Sequence, residues 1–245
     1  MLLDPPTLAA VAALAVVAAI VSGMSGFGTG VILAAALVPL IGIRAVIPVL
    51  AVAGVIINAG RFWFYRAHLD RRMLILVLAA SLPFLVLGTW IYSVLDVRAL
   101  GTVLGLAVMA SVPLRRVLHA RQITLSPAGL AVGSGVFGLA TGVATGTGVI
   151  LVSLLLGAGL ATPAVLATDA LVSIVLDLAK AVLFQRFELL DTEAFFTGVV
   201  IGLATIPGSA IAAWLVGRIG ASLHILFMEG LILVGGASML WHAWR

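Results

Sequence analysis

Long uncharged apolar runs constrain this chain more than any other feature. Residues 45–57, 73–91 and 198–216 contain no charged side chain. A helix needs roughly 20 mostly apolar residues to cross the hydrocarbon core of a bilayer. Backbone amides and carbonyls find no water partners in lipid, so such runs are expected to be helices. The runs also lack the alternation typical of an outer-membrane barrel. The sequence therefore predicts an all-α integral membrane protein.

Composition supports this class and excludes others. Of the 245 residues, 63% are hydrophobic and 9% are charged, whereas a soluble domain carries roughly 25% charged residues. The absence of cysteine excludes disulfides, thiolate metal sites and cysteine nucleophiles. The net charge of +4 is no nucleic-acid signal, because much of the basic charge lies in two short connections. Asp4 is the only early charge, so residues 7–21 are predicted to be a retained membrane segment and not a cleavable signal.

The chain repeats itself. The six residues at 28–33, Gly-Thr-Gly-Val-Ile-Leu, recur at 146–151. Further matches follow in the same order: Asn58 and Arg61 with Asp177 and Lys180, Asp70 with Asp191, and Pro83 and Trp90 with Pro207 and Trp214. The spacing between matched positions grows slowly, as small loop insertions would make it do. This indicates duplication, with a first membrane repeat at 1–112, a basic cytoplasmic linker at 113–126 and a second membrane repeat at 127–245.

Each half has the same predicted plan. An apolar segment is followed by a glycine-rich break, a short apolar segment and three longer helices. The predicted segments are 7–21, 31–41, 44–64, 72–95 and 98–112, then 127–139, 149–156, 163–184, 193–216 and 223–241. Residues 31–40 would form about 15 Å of helix, against a hydrocarbon core of about 30 Å, and cannot span alone. A re-entrant hairpin and one long broken helix both fit.

The hinges predict how the halves are oriented. Residues 65–72 carry three arginines against Asp70, whereas the matching residues 185–193 carry Arg186 against three acidic side chains. Equivalent loops of opposite charge balance suggest inverted repeats. The linker and the first hinge would then both be cytoplasmic.

The glycine breaks are the strongest functional signal. In inverted-repeat transporters, broken helices present unpaired N–H groups and a positive dipole end to an anion near the midplane. Glycine lets a ligand approach the backbone, and a threonine hydroxyl adds a donor. The predicted anion ligands here are Gly28, Thr29, Gly30, Gly146, Thr147 and Gly148. The alternative is close helix packing through small residues.

Charged residues inside helices are the second signal. Helical spacing places Asp169, Asp177 and Lys180 on one side of one segment, and that side cannot face lipid without a large cost. Arg61 and Asn58 match Lys180 and Asp177, so all three of Asn58, Arg61 and Lys180 are candidate anion ligands or gates. Asp169, Asp177 and Glu229, which is alone in its segment, are candidates for proton coupling. Alternatively, Arg61 and Lys180 snorkel to the headgroups, and Asp177 pairs with Lys180.

Nothing in the sequence indicates catalysis. The four histidines show no metal-binding spacing, and Ser134 has no histidine suited to activate it. Asp169 and Asp177 share one helix, whereas a membrane protease needs two facing carboxylates. We therefore expect no enzyme, metal or cofactor.

The glycine breaks also carry a family resemblance. Residues 22–30, with Pro39 following, and the second copy at 141–151 resemble the breaks of the TauE/SafE-type sulfite exporter family, also called the sulfonate uptake permease family. Asp70 and Asp191 fit the aspartate that ends each hinge in that family. The chain departs from the pattern at Thr29, Thr147, Ala144 and Gly157, and has Asp169 where a small hydroxyl residue is usual. The resemblance covers nearly the whole chain.

The resemblance implies secondary transport of a small anion, such as sulfite, a sulfonate or another small organic anion, without nucleotide hydrolysis. The buried acids make proton coupling an expectation. A passive anion channel and a non-transporting membrane assembly subunit remain the alternatives. The expected partners are the anion and the lipid bilayer of a cell membrane, in keeping with a bacterial plasma membrane, and no nucleic acid. The sequence leaves the direction of transport and a homo-oligomeric state open.

Overall fold

The computed structural model describes residues 5–23, 29–120, 124–215 and 221–245. Within these ranges the chain is helical and contains no strand, which confirms the all-α prediction. The helices are α1 (Pro5–Gly23), α2 (Thr29–Ile41), α3 (Ile43–Tyr65), α4 (Arg71–Val94), α5 (Val97–Ala120), α6 (Pro127–Val143), α7 (Gly148–Gly157), α8 (Thr162–Arg186), α9 (Thr192–Leu215) and α10 (Ala221–Trp244), with a 3-10 turn at Arg66–His68. Among the described residues, four stretches are long and apolar enough to cross a membrane, lying in α3, α4, α5 and α9.

The short segments after the glycine breaks are short helices. α2 has 13 residues and α7 has 10, so neither reaches across a hydrocarbon core of about 30 Å. α5 differs from the prediction, because it continues through Pro113 to Ala120. The polar stretch expected to be a linker from residue 113 therefore begins as helix. Apolar Leu114 and Val117 continue the helical pattern, and basic side chains are favourable near a helix C-terminus.

Matching helices of the two halves pack against each other in antiparallel pairs. In the α3–α8 pair, Gly54 lies beside Asp177, whereas Arg61, further along α3, contacts Asp169. In the α5–α10 pair, Gly101 lies beside Ala243 and Gly105 beside Leu240. The ends of α3 and α8, and so the two hinges that follow them, therefore lie at opposite ends of the bundle.

Other helices of one half also pack against helices of the other half. α4 packs on α6, and its match α9 packs on α1; α3 packs on α9, and its match α8 packs on α4. Glycine allows these close approaches, as is common between membrane helices. A Cβ on Gly138 of α6 would lie 2.2 Å from the carbonyl oxygen of Ser81 on α4, and one on Gly198 of α9 would lie 2.7 Å from that of Val49 on α3.

The two hinge aspartates have the same local role. Asp70 caps α4 by accepting a hydrogen bond from the Met73 backbone N–H, at 3.0 Å. Asp191 accepts one from the Ala194 N–H at the start of α9, at 2.7 Å. Each satisfies a backbone donor that the first turn of a helix leaves unpaired. The hinge match in the sequence is therefore also a structural match.

Candidate functional site

The two glycine breaks face each other. A Cβ on Gly30 would lie 2.8 Å from the Thr145 hydroxyl oxygen, and one on Gly146 would lie 2.4 Å from a methyl carbon of Val31. Gly146 also has a φ of +82°, a left-handed conformation that favours glycine. Gly28, the remaining residue of the first predicted triplet, lies outside the described residues.

A cavity of about 180 Å³ lies against both breaks and against the α3–α8 crossing. It brings together every predicted site residue that the structure describes, with the exception of Glu229. The lining includes Thr29, Gly30, Asn58, Arg61, Gly146, Thr147, Gly148, Asp169, Asp177 and Lys180. These ten residues come from four helices and one break, and they converge on one polar space although the nearest members of the two groups in sequence, Arg61 and Gly146, are 85 positions apart.

Two helix N-termini border this cavity. Thr29 is the first residue of α2 and Gly148 the first of α7. The first-turn N–H groups of a helix lie at its positive dipole end and lack the usual acceptor of an α-helix. In α7 the Ile150 N–H already donates to the Thr147 carbonyl at 2.8 Å, so the donors that this terminus can offer are those of Gly148 and Val149. No heavy atom of a neighbouring residue lies within 4 Å of a Cβ placed on Gly148, so the chain leaves this terminus open to the cavity. The Thr147 hydroxyl, expected to be an anion donor, already pairs with the Thr141 hydroxyl at 2.8 Å.

The charged side chains of the cavity form two ion pairs. Arg61 pairs with Asp169 across the two helices, and the Lys180 ammonium lies 2.9 Å from an Asp177 carboxylate oxygen within α8. Asp169 is 2% exposed and Lys180 is 6% exposed, so Lys180 does not snorkel to a headgroup region. The alternative reading of an Asp177–Lys180 pair is observed. Two cations and two carboxylates leave the cavity with no net side-chain charge.

Matched positions meet in this cavity. The Asn58 side-chain amide donates to the Gly54 carbonyl at 2.9 Å and to Asp177 at 3.4 Å. Asn58 and Asp177 are matched positions in the sequence repeat, so two matched side chains contact each other here. Arg61 and Lys180, which are also equivalent, both line the cavity. Residues of both predicted repeats therefore line the same cavity.

Glu229 lies elsewhere. Its carboxylate accepts hydrogen bonds from Arg116, with Arg116 Nε 3.3 Å from Glu229 Oε1, so it joins α10 to α5. The hydrogen bond and the charge of Glu229 raise the pKa of the Arg116 guanidinium. The sequence treated Glu229 as alone because Arg116 was assigned to the linker. Extending the helical pattern of α5 beyond Pro113 would have placed Arg116 in a helix, although pairing it with Glu229 also requires the α5–α10 register.

Among the lining residues that sequence reasoning missed, four are glycine or carry a hydroxyl group: Gly54, Thr141, Thr145 and Ser173. Ser173 is four residues from both Asp169 and Asp177, so the same helical face already contained it. Gly54 is four residues before Asn58, and a Cβ there would lie 2.2 Å from an Asp177 carboxylate oxygen. Glycine at this position lets the carboxylate approach α3.

Comparison with known proteins identifies the family of the chain. The family model described as sulfite exporter TauE/SafE matches residues 11–239. No curated protein and no solved structure matches the chain significantly. The match covers nearly the whole chain, as the resemblance of its glycine breaks predicted. This multi-pass membrane protein therefore belongs to the sulfite exporter TauE/SafE family of transporters.

Proposed function

We propose that the protein is a secondary transporter that moves a small anion, such as sulfite, a sulfonate or another small organic anion, across a cell membrane. The anion binds in the cavity between the two glycine breaks. One observation carries this proposal: two helix N-termini and the matched cations Arg61 and Lys180 border the same 180 Å³ space. In a bacterium this membrane would be the plasma membrane.

The cavity suits weak binding of a small ion. A water molecule occupies about 30 Å³ in the liquid, so the space suits a small anion and a few waters. One helix terminus stabilises an anion by roughly 0.3–1 kcal/mol, and by up to about 2 kcal/mol when partly buried. Arg61 and Lys180 are already balanced by Asp169 and Asp177. The termini would therefore hold the anion, and the cations would attract it or control its path.

We further propose that the halves are inverted repeats, related by an axis in the membrane plane. The antiparallel α3–α8 and α5–α10 pairs support this, because such an axis makes matching helices antiparallel. The Asn58–Asp177 contact would lie on the axis. By the positive-inside rule, the arginine-rich first hinge, and with it the linker, would lie in the cytoplasm.

The ion pairs suggest how a proton gradient drives transport. An anion that competes for Arg61 or Lys180 leaves Asp169 or Asp177 without its cation. An isolated buried carboxylate is strongly disfavoured, so it takes up a proton. Anion binding and proton binding then favour each other. Glu229 lies outside the cavity and contacts Arg116, so we place coupling on the two aspartates and assign Glu229 to the α5–α10 contact.

Transport of radiolabelled sulfite in proteoliposomes, with and without an imposed pH gradient, tests this function. We expect saturable sulfite flux that the gradient stimulates. Asp169→Asn and Asp177→Asn should lose the stimulation, whereas Glu229→Gln should keep it. Flux that neither saturates nor responds to the gradient would instead identify a channel. Absence of sulfite and sulfonate flux would favour an assembly subunit.

A further inference from the structure

Two matching helix interfaces differ in how tightly they pack. α10 packs closely on α2: a Cβ on Gly235 would lie 2.4 Å from the Cβ of Ala35. The matching interface in the other half, between α5 and α7, contains a second cavity of about 290 Å³. Among the residues that the structure describes, the α2–α10 contact is therefore tighter than the α5–α7 contact.

The second glycine break separates the two cavities. Ala144, Thr145, Gly146 and Thr147 line the polar cavity on one side and the second cavity on the other. The α5 side of the second cavity is largely apolar, with Val103, Ala107, Ala110 and Leu114. The buried Ser111 hydroxyl there donates to the Val108 carbonyl of its own helix, at 2.6 Å. This space therefore lacks the features of a second anion site.

α7 has the local geometry of a movable element. It is only 10 residues long, and glycines with φ of +82° and +87°, Gly146 and Gly159, lie on its two sides. Residues that absorb changes in backbone angles at a hinge are often small. A Cβ on Gly159 would meet no atom within 4 Å, so the space beside this glycine is open.

From these observations we infer that the halves are held in different conformations that exchange during transport. The second break and α7, residues 144–157, move toward α5 and close the second cavity, while α2 separates from α10. This inference rests on the proposed transport function. Closing one void gains the dispersion contacts that opening its counterpart loses, so the two states have similar energies. The moving break exposes the polar cavity first from one side of the membrane and then from the other.

Filling the second cavity tests this inference. Ala107→Leu and Val103→Phe each add apolar atoms to it, and Ala79→Leu on the exposed face of α4 is the matched control. We expect both cavity variants to bind radiolabelled sulfite within about twofold of the unmodified protein but to transport it at least about tenfold more slowly. Their thermal midpoints should not fall, because filling a void does not weaken packing.

Transport equal to that of Ala79→Leu in both cavity variants would overturn the inference while leaving the transport function intact. Loss of sulfite binding in both would also overturn it, by placing the ligand in the second cavity. Absence of sulfite binding and transport in the unmodified protein would overturn the inference together with the proposed function.

A disulfide provides a second readout that does not depend on transport. Ser111 matches Gly235 and Ser153 matches Ala35, so exchange should bring Ser111 and Ser153 together. The chain has no native cysteine. The pair Ser111→Cys and Ser153→Cys should therefore cross-link on oxidation in membranes, since a disulfide needs Cβ atoms about 3.5–4.5 Å apart. The absence of any cross-link under conditions that support transport would contradict the exchange.

Discussion

At the scale of single residues, the two glycines of the second break serve different purposes. Gly146 is required by its backbone, because it is left-handed and a Cβ would meet Val31 at 2.4 Å. Gly148 is at an ordinary helix start, and its Cβ position is open. The Gly-x-Gly spacing predicted that both residues border the site. The sequence does not show that only Gly146 adopts a backbone conformation that requires glycine.

Alanine substitution should separate these purposes. Gly146→Ala is expected to lower the free energy of unfolding by about 1–3 kcal/mol, the usual effect of a strained backbone conformation. Gly148→Ala should leave it nearly unchanged. Thermal unfolding in detergent measures both. Equal destabilisation by the two substitutions would show that the left-handed conformation of Gly146 is not what requires glycine.

The charged residues of α8 were predictable because helical spacing alone places them on one face. The partners of these residues were less predictable. Arg61 and Asp169 lie on different helices, and a single sequence does not show how two helices are positioned against each other. Asp177 and Lys180 are local neighbours, and their pairing was the alternative interpretation of the sequence. The Arg116–Glu229 pair was missed because it requires both the extended end of α5 and the α5–α10 register.

Removing one member of the local pair should be more harmful than removing both. Lys180→Gln leaves the largely buried Asp177 without its cation and should cost up to about 3 kcal/mol of stability. Adding Asp177→Asn should recover much of this loss. Unfolding of the single and double variants in detergent decides the point. Additive effects of the two substitutions would contradict a mutual ion pair.

At the scale of helices, hydrophobic runs and hinge residues fixed most boundaries to within a few positions. Asp70 and Asp191 cap α4 and α9, and for this reason the starts of these two helices could be predicted from the sequence. The end of α5 was not, because a proline and basic residues are typical of both a linker and the end of a membrane helix. Interhelical glycine contacts were also not predictable, because glycine has no side chain and its place in the sequence pattern does not show which helix it contacts.

The α4–α6 contact makes a direct forecast about these glycines. Gly138→Ala should destabilise the protein by about 1–3 kcal/mol, because the added Cβ would lie 2.2 Å from the Ser81 carbonyl oxygen and force the helices apart. Gly60→Ala, in α3, meets nothing within 4 Å and should be neutral or stabilising. Thermal midpoints compare the two. A harmless Gly138→Ala would mean that α4 and α6 are not so close.

At the scale of the whole molecule, the sequence repeat predicted that two equivalent sets of residues exist, and charge predicted that they differ in orientation. The meeting of both sets in one cavity could be expected only from the logic of inverted repeats. The contacts of α4 with α6 and of α9 with α1 join helices of different halves, and no local sequence feature predicted them. They depend on which apolar faces fit together, and that information is distributed over several helices.

Orientation can be tested at the two hinges. Arg66 and Arg186 are exposed, and the chain has no cysteine, so single cysteines introduced there report only their own positions. We expect Arg66→Cys to react with an impermeant thiol reagent from the cytoplasmic side, and Arg186→Cys from the opposite side. Reaction of both from the same side would exclude inverted repeats.

Equilibrium binding of radiolabelled sulfite to purified protein tests most directly whether the anion site lies between the glycine breaks. Gly148→Val places a branched side chain at the open start of α7, whereas Gly60→Val adds the same group outside the cavity, where nothing lies within 4 Å. We predict saturable sulfite binding in the unmodified protein and in Gly60→Val, and a loss of at least about tenfold in affinity in folded Gly148→Val. Undiminished binding in Gly148→Val would contradict a site at the glycine breaks.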